Sequence, residues 1–480
     1  MPIGFSWTEL GVDAARVRAV NDASLPGDPR EFVLYWCMVN HRAEHNHALD
    51  AAIALGNHLG LPVVAYQALR PDYPYASDRI HGFILDGLPH FGGGLEKRGI
   101  PYWLELPRNP KEHRPRFEAF GRRAAAVVTD LFPSFIIPGH LKGAAKVLKV
   151  PLFAVDASCV VPMQRIAERQ VGAYALRPKL RKLWPEYRDV LPKPRAVKKA
   201  SLAGRIDLAL PRTALGSIAG ISLAEFSLDH SVDRVADHPG GRVEALRRLD
   251  DFLEHRLSRY SEERSDPGAF VQSGLSPALH FGWLYAGEVA QACITALGES
   301  HPSVQGLLEE LLVRRELGFN YCLHTPVALQ RSVTSLPPWA QKTLADHGQD
   351  ARPFRYTRDE LDAGKTHDLL WNAAQRELRT EGRIHNYLRM LWGKKILEWS
   401  ATPQEALDNL AALNDRYALD GRDCVSVSNF MWILGLHDRP FQERPVIGKV
   451  RPMSSDRTAK KFNLGPYLLR YGDAHGNAEL

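Results

Sequence analysis

The sequence predicts two domains of different class, an α/β domain followed by an all-α domain. In the first part, short apolar runs rich in β-forming residues alternate with helical stretches, which is typical of an open, mostly parallel, Rossmann-like sheet. Beyond Gly240 the strand signal nearly vanishes and helical patterns follow one another. A stretch rich in proline, lysine and arginine lies between the two parts. We therefore expect an α/β domain at 28–178, a connector at 179–224 and a helical domain at 225–470.

The α/β domain is predicted from a series of short apolar segments. Residues 31–39 predict a fully buried strand, because the run is short, apolar and rich in β formers. Further strands are expected at 61–66, 100–106, 125–129, 135–138 and 153–156, with helices at 45–59, 80–98 and 140–149.

The connector and the helical domain follow from different signals. Basic residues and four prolines predict that regular structure stops between about 178 and 215. The prolines are Pro178, Pro185, Pro192 and Pro194. Beyond this segment, apolar periodicity predicts helices at 242–260, 282–297, 304–322, 366–398 and 403–414.

The composition is that of an ordinary globular protein. Of 480 residues, 45% are apolar and 24% are charged, and no apolar run reaches the length of a membrane span. The start of the chain does not resemble a signal peptide. The five cysteines lie far apart, with no pair at a metal-ligand spacing. We therefore expect a reducing, cytoplasmic compartment, no disulfide and no metal site.

The net charge of +6 is too small to identify a partner, but it is unevenly distributed. The first basic run comprises Arg177, Lys179, Arg181, Lys182, Arg188, Lys193, Arg195, Lys198, Lys199 and Arg205. The second comprises Arg439, Arg444, Lys449, Arg451, Arg457, Lys460 and Lys461. Both a polyanionic partner and a purely solubilising role fit this distribution.

Three tryptophans, Trp371, Trp392 and Trp399, stand in predicted helices. Trp392 and Trp399 are seven residues apart, so two helical turns bring both indoles to one stripe. Indoles are oxidisable, and a short chain of them can carry an electron hole from a buried redox cofactor to the surface. Core packing explains the same spacing, because large aromatic side chains dominate protein cores. Spacing alone leaves both interpretations open.

Several polar residues form further candidate sites. The segment Ser273–Ser276 precedes a helix, where it offers N–H groups and hydroxyls to a phosphate or serves as a plain N-cap. Glu310 either faces solvent beside the arginines that follow it or enters a pocket. Asn386 and Arg389 share an aromatic, largely apolar helix with Trp392, so each needs a buried partner or a cofactor.

Six segments of the chain together resemble one known family. They are Leu-Ser-Pro-x-Leu-His-Phe-Gly at 275–282, Glu-Leu-Leu-Val-Arg-Arg-Glu-Leu at 310–317, Thr-His-Asp-x-Leu-Trp-Asn-Ala-Ala-Gln at 366–375, Trp-x-Lys-Lys-Ile-Leu-Glu-Trp at 392–399, Leu-Asn-Asp-Arg-Tyr-x-Leu-Asp-Gly-Arg-Asp at 413–423 and Glu-Arg-Pro-Val-x-Gly-Lys at 443–449. In these words the chain resembles class II cyclobutane pyrimidine dimer (deoxyribodipyrimidine) photolyases of the photolyase/cryptochrome superfamily. The resemblance covers about residues 28–470. It implies FAD in the helical domain and an α/β antenna domain, whose chromophore it leaves unknown.

The resemblance also implies residues that bind the cofactor. The match to the flavin phosphate clamp comprises Tyr260, Ser273, Gly274, Leu275 and Ser276. Asn386 matches a residue near the flavin, and Arg389 with Asp420 matches an ion pair beside the isoalloxazine ring. Asn414 matches the amide that faces flavin N5, where it would stabilise the reduced cofactor.

Electron transfer and lesion binding are implied in the same way. Trp392 matches the proximal electron donor, followed by Trp371, with Trp399 as an additional carrier. Glu310 matches the carboxylic acid that meets the pyrimidine dimer. The residues implied at the lesion or the DNA are Met390, Trp432, Phe441, Arg444, Lys449 and Arg451. Both basic runs would hold phosphates without reading sequence.

The implied activity is that of a deoxyribodipyrimidine photo-lyase, a carbon–carbon lyase. Excited, reduced FAD would donate one electron to a dimer flipped out of double-stranded DNA, and the cyclobutane ring would split. The implied protein is a monomer that does not enter membranes, and it is nucleoid-associated if the source is prokaryotic.

The chain departs from the family pattern around the expected lesion pocket. The family continues Pro-Asn-Gly-Tyr-Val-Gly-Cys-Met-Trp after Asp423, whereas this chain has Cys-Val-Ser-Val-Ser-Asn-Phe-Met-Trp up to Trp432. The stretch that follows is one residue shorter, and Phe441 replaces a common tryptophan. Two alternatives therefore remain: an FAD photoreceptor or redox protein without repair activity, and a nucleic-acid-binding protein with a vestigial flavin fold. A (6-4) lesion as substrate fits the motifs less well.

Overall fold

The computed structural model describes residues 4–112, 117–192, 195–203, 206–209 and 211–473. Lys193, Pro194 and Arg205, which belong to the predicted basic and proline-rich segment, lie outside these residues. The chain divides into two compact units, each built from several segments. The sheet unit comprises Met1–Ala167, Leu183–Leu249 and Leu275–Gln291, and the helical unit comprises Glu168–Lys182, Asp250–Gly274 and Ala292–Leu480.

The sheet unit contains a six-stranded sheet in the order β1-β6-β5-β2-β3-β4. Its strands are β1 (Val17–Ala19), β2 (Phe32–Trp36), β3 (Val63–Ala68), β4 (Tyr102–Glu105), β5 (Ala124–Asp130) and β6 (Leu152–Val155). β1 runs antiparallel to β6, and the other neighbouring strands pair in parallel. This parallel-dominated sheet, together with the helices of the C-terminal region, confirms the predicted fold class.

The central strands are buried along their whole length. All residues of β2 and of β5 are buried, as expected for parallel strands covered on both faces. In register, Leu34 of β2 faces Val64 of β3 on one side and Val127 of β5 on the other. The continuous apolar runs that predicted these strands are therefore the two-sided core of the sheet.

Helices alternate with the strands in the first part of the chain and predominate in the rest of it. The helices up to residue 255 are α1 (His47–Leu59), α2 (Asp78–Lys97), α3 (Phe117–Arg123), α4 (Ile137–Val147), α5 (Ala173–Tyr187), α6 (Ala200–Ala203) and α7 (Arg242–His255). Those beyond it are α8 (Tyr260–Glu263), α9 (Ser276–His280), α10 (Ala286–Leu297), α11 (Pro302–Leu308), α12 (Arg315–Leu323), α13 (Pro338–Asp346), α14 (Arg358–Ala363), α15 (Leu369–Glu381), α16 (Asn386–Trp399), α17 (Pro403–Tyr417), α18 (Cys424–Ile433), α19 (Ser455–Lys461) and α20 (Gly465–Tyr471). None of the helices in the described ranges is long and apolar enough to cross a membrane.

α16 is the central helix of the site described below. It packs against α15, α17 and α18, and buried residues occur all around it, including Leu388, Trp392 and Lys394. The predicted single helical segment at 366–398 is two helices. Asp368 caps the first helix and Gly382, with φ of 65°, ends it, because glycine adopts the left-handed conformation at little cost.

Two local predictions were wrong. No strand forms at 135–138, where Phe135 has φ of 58° and α4 begins at Ile137. Regular structure also does not stop at Pro178, because α5 continues through it to Tyr187. A proline removes the hydrogen bond to the carbonyl four residues earlier. For Pro178 and Pro185 these carbonyls belong to the exposed residues Tyr174 and Arg181, so the helix can continue without burying an unpaired carbonyl.

Candidate functional site

The three predicted tryptophans form one contiguous cluster in the helical unit. The rings of Trp371 and Trp392 stack with centroids 6.3 Å apart and an interplanar angle of 5°. The ring of Trp399 lies edge-on to Trp371 with centroids 5.4 Å apart. All three side chains are buried. Trp371, from α15, contacts both tryptophans of α16, so the cluster runs in the order Trp392, Trp371, Trp399.

Hydrogen bonds fix the two stacked indoles. Nε1 of Trp371 donates to the carbonyl of Trp392 over 3.0 Å, and Nε1 of Trp392 donates to Oε1 of Gln375 over 2.9 Å. A buried N–H group without a partner costs about 1–3 kcal/mol. The bonds therefore hold the rings in one arrangement, which suits electron transfer between them as well as packing.

A path of rings connects this cluster to solvent. Trp399 contacts Tyr356 and His367, with ring centroids 5.1 and 5.6 Å apart. The hydroxyl of Tyr356 donates to Nδ1 of His367 over 2.5 Å. His367 is exposed and stacks on Phe354, whose ring is also exposed. Oxidisable side chains thus extend from the buried Trp392 to the surface of the helical unit.

Asn414 lies buried on α17 and is held in one orientation. Its Nδ2 donates to Oδ1 of Asp415 over 3.2 Å and to Oγ of Ser426 over 3.4 Å. The Ser426 hydroxyl donates to the carbonyl of Asp420 over 3.1 Å, so it acts as an acceptor toward Asn414. Within the described part of the chain, no donor reaches Oδ1 of Asn414. This oxygen is therefore available to accept a hydrogen bond from a ligand.

Arg389 and Asp420 form an ion pair, as the sequence resemblance implies. Nη2 of Arg389 lies 3.1 Å from Oδ1 of Asp420, and Nη1 lies 3.4 Å from Oδ2. Burial disfavours the charged guanidinium, but the Asp420 carboxylate holds the pKa of Arg389 above its usual value. Nε of Arg389 is buried and lacks a hydrogen-bond partner among the described residues. Arg389 stands one helical turn before Trp392 on α16.

Glu310 lies in a π-helical segment, Glu309–Arg314, between α11 and α12. Its Oε1 accepts a hydrogen bond from Nη1 of Arg264 over 2.6 Å. The neighbouring Glu309 pairs instead with Arg177 over 2.7 Å and with Arg314 over 3.2 Å. Of the two carboxylates in this segment, Glu309 therefore pairs with an arginine that follows it, whereas Glu310 pairs with Arg264. π-Helical turns are rare and occur often at functional sites.

Tyr260 lies beside the same pair of charges. The guanidinium of Arg264 is 5.8 Å from the centroid of the Tyr260 ring. Burial raises the pKa of Tyr260 to about 12, and the charge of Glu310 adds to this shift. The phenol is therefore neutral and a hydrogen-bond donor at physiological pH.

The remaining residues of the predicted phosphate clamp belong to different units. Ser273 and Gly274 lie in the helical unit, whereas Leu275 and Ser276 lie in the sheet unit. Gly274 has φ of +69°, and no atom lies within 4 Å of the position that a Cβ would take. Ser276 is exposed at the first residue of α9, and Leu275 is buried. An open space next to a left-handed glycine leaves the backbone accessible to a ligand.

Trp432, Phe441 and Arg451 form a second cluster of predicted residues. The guanidinium of Arg451 is 4.4 Å from the Phe441 centroid and 5.9 Å from the Trp432 centroid. Its Nε and Nη2 donate to Asp438 over 2.8 and 2.9 Å. Arg439 approaches the Phe441 ring at 5.8 Å. We call these five residues the aromatic–cation cluster.

A buried lysine, Lys394, contacts the Trp432 ring of this cluster. Nζ of Lys394 donates to the carbonyl of Ile433 over 2.6 Å and lies 4.5 Å from the Trp432 centroid. Burial lowers the pKa of Lys394 to about 7. The lysine thus closes the C-terminal end of α18, the helix that carries Trp432.

Four predicted site residues are not joined to these clusters by any hydrogen bond or ring contact of the described side chains. Asn386 is exposed at the start of α16, and Met390 is half-buried one turn further on. Arg444 is exposed in a tight backbone turn with Gly448. Nζ of the exposed Lys449 lies 3.8 Å from Glu443, although its backbone carbonyl accepts from the amide of Phe441 over 2.8 Å.

Sequence reasoning missed residues that complete the site. They are Arg264, Gln375, Lys394, Ser426 and Asp438. Gln375 had a usable signal, because it is a polar residue four positions after Trp371 on a buried helical face. The others act through contacts with residues far along the chain, which spacing does not reveal.

Comparison with known proteins shows the family of the chain. No family model matches it. It is 34% identical over 460 residues to a deoxyribodipyrimidine photo-lyase of Methanothermobacter thermautotrophicus, covering 96% of this chain and 98% of the relative. It is 35% identical over 442 residues to the Arabidopsis thaliana protein of that name, covering 91% and 88%. The Potorous tridactylus protein of that name is 32% identical over 464 residues, covering 96% and 85%.

Solved structures share the fold. A class III photolyase from Agrobacterium tumefaciens aligns with a TM-score of 0.65 at 19% identity, covering 93% of this chain and 87% of that one. A Synechocystis cryptochrome aligns with a TM-score of 0.67 at 18% identity, covering 93% and 89%. These structures share with this chain a parallel-dominated sheet followed by a helical region. The chain belongs to the photolyase/cryptochrome superfamily.

Proposed function

We propose that the protein is a deoxyribodipyrimidine photolyase that repairs cyclobutane pyrimidine dimers in double-stranded DNA under blue light. The observation that carries the proposal is the Trp392–Trp371 stack, which begins one helical turn from the Arg389–Asp420 pair. This places oxidisable rings next to a buried polar site. The relatives of known name are photolyases over nearly the whole chain.

The buried polar residues fit a flavin. Oδ1 of Asn414 and Nε of Arg389 have no partner among the residues described, and the backbone at Gly274 is open. The residues that would hold FAD are Tyr260, Ser273, Gly274, Leu275, Ser276, Asn386, Arg389, Asn414 and Asp420. Bound and reduced FAD, excited by light, supplies the electron that splits the dimer.

Asn414 and Arg389 would set the electrostatics of that site. Because both N–H groups of the Asn414 amide are engaged within the protein, the amide presents an oxygen, which favours a protonated partner. Arg389 carries positive charge and therefore favours an anionic ring system. Both effects stabilise a reduced flavin relative to an oxidised one. Trp392 would donate an electron to the site first. Trp371 and then Trp399 would replace the electron that Trp392 has lost.

The lesion side of the site would be formed by Glu310, Met390 and Trp432. Glu310 is half-buried and paired with Arg264, so it presents a fixed carboxyl group to a polar base edge. A dimer must leave the helix to reach such a pocket, and a damaged pair costs less to extrude than an intact one. In the aromatic–cation cluster, Phe441 would fill the gap that the flipped-out dimer leaves in the DNA helix. The arginines of the cluster would hold phosphates. Arg444 and Lys449 would add phosphate contacts.

Blue-light turnover of an oligonucleotide with one thymine dimer tests the proposal. The reduced protein should remove the dimer in light and leave it intact in the dark, and the same sample should show a flavin absorbance spectrum. Intact dimers after illumination of a flavin-loaded sample would contradict repair. A parallel substrate with a (6-4) lesion should remain unchanged, which would separate repair of cyclobutane dimers from repair of (6-4) lesions.

A second candidate function is an FAD photoreceptor or redox protein that does not repair DNA. The observation in its favour is α18, where the chain departs from the family pattern and which carries both Ser426 and Trp432. Photoreduction of the flavin with equal affinity for damaged and undamaged DNA would favour this candidate over repair.

A further inference from the structure

Two adjacent lysines of α16, Lys394 and Lys395, have different surroundings. Lys395 is half-buried, and its Nζ lies 2.9 Å from a carboxylate oxygen of Glu398. Lys394 is 1% exposed, and no carboxylate of the described residues lies within ion-pair distance of it. A buried ammonium is costly unless other groups compensate for the lost water. The groups around Lys394 must therefore supply that compensation.

The C-terminal end of α18 supplies it. Nζ of Lys394 donates to the carbonyl of Ile433 over 2.6 Å and to the carbonyl of Trp432 over 3.4 Å. No other donor of the described residues reaches the Ile433 carbonyl. The last carbonyls of a helix lack intrahelical partners and carry partial negative charge. The ammonium of Lys394 therefore fixes the end of α18 at the residue that carries the indole.

The same ammonium also lies against the indole ring. Nζ of Lys394 is 4.5 Å from the centroid of Trp432, and a cation within about 6 Å of an indole is attracted by its π system. Arg451 approaches this ring at 5.9 Å, but its charge is already paired with Asp438. Lys394 is the fully buried and unpaired cation of the two. It thus holds Trp432 both at the backbone and at the ring.

The charge of Lys394 changes near neutral pH. Burial lowers the pKa of Lys394 to about 7, the charges of Asp438 and Glu398 oppose this shift, and that of Arg451 adds to it. Below this pH the ammonium attracts both the ring and the carbonyls. Above it, the neutral amine still donates hydrogen bonds but no longer attracts the ring. The support of Trp432 therefore depends on pH.

We infer that Lys394 is a positioning residue for lesion binding, because its ammonium holds the Trp432 indole in the orientation that contacts a flipped-out dimer. Lys394 is buried, so it acts on the lesion through Trp432. Discrimination between damaged and intact DNA is then better when Lys394 is charged than when it is neutral. This inference rests on the proposed function, because it takes Trp432 as a contact of the dimer.

Fluorescence anisotropy with a labelled duplex, with and without one thymine dimer, measures this discrimination between pH 6 and pH 8.5. For the wild type, the preference for the damaged duplex should fall about 5-fold over this range, the size of one lost cation–π contact. Lys394→Met keeps an unbranched side chain without the charge. Its preference should be about 5-fold below the wild-type value at pH 6 and should not change with pH.

Two matched controls separate Lys394 from neighbouring charges. Lys395→Met removes the adjacent cation, which pairs with Glu398. Asp423→Asn removes a second group of α18 whose pKa is about 7. Both variants should keep the wild-type dependence of the preference on pH. Thermal melting at pH 6 should show that each variant is folded.

A second measurement needs no DNA. In protein labelled with fluorotryptophan, the fluorine NMR resonance that is missing from Trp432→Phe reports on Trp432. This resonance should shift with a midpoint near pH 7 in the wild type and in Asp423→Asn, because the nearby lysine loses its charge there. In Lys394→Met it should not shift.

The possible failures are distinguishable. If the wild type prefers damaged DNA equally at every pH, or if the pH dependence persists in Lys394→Met, Lys394 does not position Trp432, and the proposed function stands. If the wild type prefers damaged DNA at no pH, the proposed function fails together with the inference. A Trp432 resonance that does not move with pH would show, without DNA, that the ammonium does not hold the ring.

Discussion

Trp392 and Trp283 are both almost fully buried, but their indole N–H groups are in different environments. Nε1 of Trp392 donates to Gln375, and its ring stacks on Trp371. Nε1 of Trp283, in the sheet unit, has no hydrogen-bond partner among the described residues. Replacing each of these tryptophans in turn therefore distinguishes a role in electron transfer from a role in packing.

We expect Trp392→Phe to abolish most photoreduction of the flavin while the protein still folds. Phenylalanine keeps most of the apolar volume, and the lost volume with the unpaired Gln375 oxygen should cost about 1–2 kcal/mol. Illumination of the oxidised protein with an external reductant, followed by absorbance, measures the effect. Repair by chemically reduced enzyme should survive, since the tryptophans only recharge the cofactor.

Trp283→Phe is the matched control for this experiment. It removes an indole of equal burial from the sheet unit and should leave photoreduction at the wild-type rate. If Trp392→Phe photoreduces as fast as Trp283→Phe, the cluster is packing and not an electron path.

Ser426 orients the amide of Asn414, and its hydroxyl is absent from the family pattern. We expect Ser426→Ala to lower the midpoint potential of bound FAD. Without the Ser426 hydroxyl, the Asn414 amide would no longer be held with its oxygen toward the reduced ring. Loss of about 1 kcal/mol of hydrogen bonding corresponds to on the order of 20 mV for a two-electron couple. A spectroscopic redox titration measures it.

The control for Ser426 lies on the same helix. Ser428→Ala removes a hydroxyl that is similarly buried two residues further along and should leave the potential unchanged. Equal potentials in all three proteins would mean that Ser426 does not orient Asn414.

At the scale of elements, α18 has a buried ionisable group at each end. Asp423 caps its start by accepting a hydrogen bond from the amide of Ser426 over 2.7 Å, and Lys394 closes its end. Burial raises the pKa of Asp423 to about 7, although the Ser426 amide favours the charged form. We therefore expect the stability of the helix that carries Trp432 to depend on pH.

We expect Asp423→Asn to become progressively more stable than the wild type as pH rises. The folded-state pKa lies above the unfolded value of about 3.9. The stability from this group is therefore present below about pH 4 and is lost as pH rises toward 7. Asparagine caps a helix equally well and cannot ionise. Urea unfolding should show a relative gain on the order of 2–3 kcal/mol between pH 5 and pH 8.

The contrary result would be parallel stability curves. If wild type and Asp423→Asn differ by the same amount at every pH, the carboxyl group of Asp423 does not change its charge in this range. The cap would then contribute only through its hydrogen bond.

At the scale of the whole molecule, both units are discontinuous in sequence. The helical unit includes Glu168–Lys182, which spans the end of the predicted α/β domain and the first residues of the predicted connector. This segment supplies Arg177, buried leucines and a backbone amide at Gln170 that donates to Asn320 over 2.8 Å. The predicted boundary at 225 has therefore to be tested by experiment.

We expect the fragment 225–473 to melt at a lower temperature than the fragment 168–473. The shorter fragment lacks the burial of Leu176 and Leu180, worth about 1.5–3 kcal/mol each, and the Arg177–Glu309 pair. The difference should be roughly 10 °C for a chain of this size. Circular dichroism of both fragments measures it, and equal melting temperatures would support a domain that begins at 225.

The sequence by itself determined the fold class, the superfamily and most of the predicted helices. Buried parallel strands such as β2 and β5 are apolar on both faces, and long helices repeat every 3.6 residues, so both leave a pattern in adjacent residues. The motif words also predict Trp392, Asn414 and Arg389 as site residues, and their roles stay a prediction. The three-residue antiparallel β1 and the false strand at 135–138 show the limit, because such short segments carry too little pattern.

Only the tertiary structure decided which residues act together. It placed Trp371 between Trp392 and Trp399, paired Glu310 with Arg264 and set Ser426 against Asn414. It also carried α5 through two prolines, because the carbonyls that lose a partner belong to exposed residues. Each outcome depends on contacts between distant parts of the chain or on access to water. Local spacing records neither, since hydrogen bonds and burial are fixed only when the helices pack.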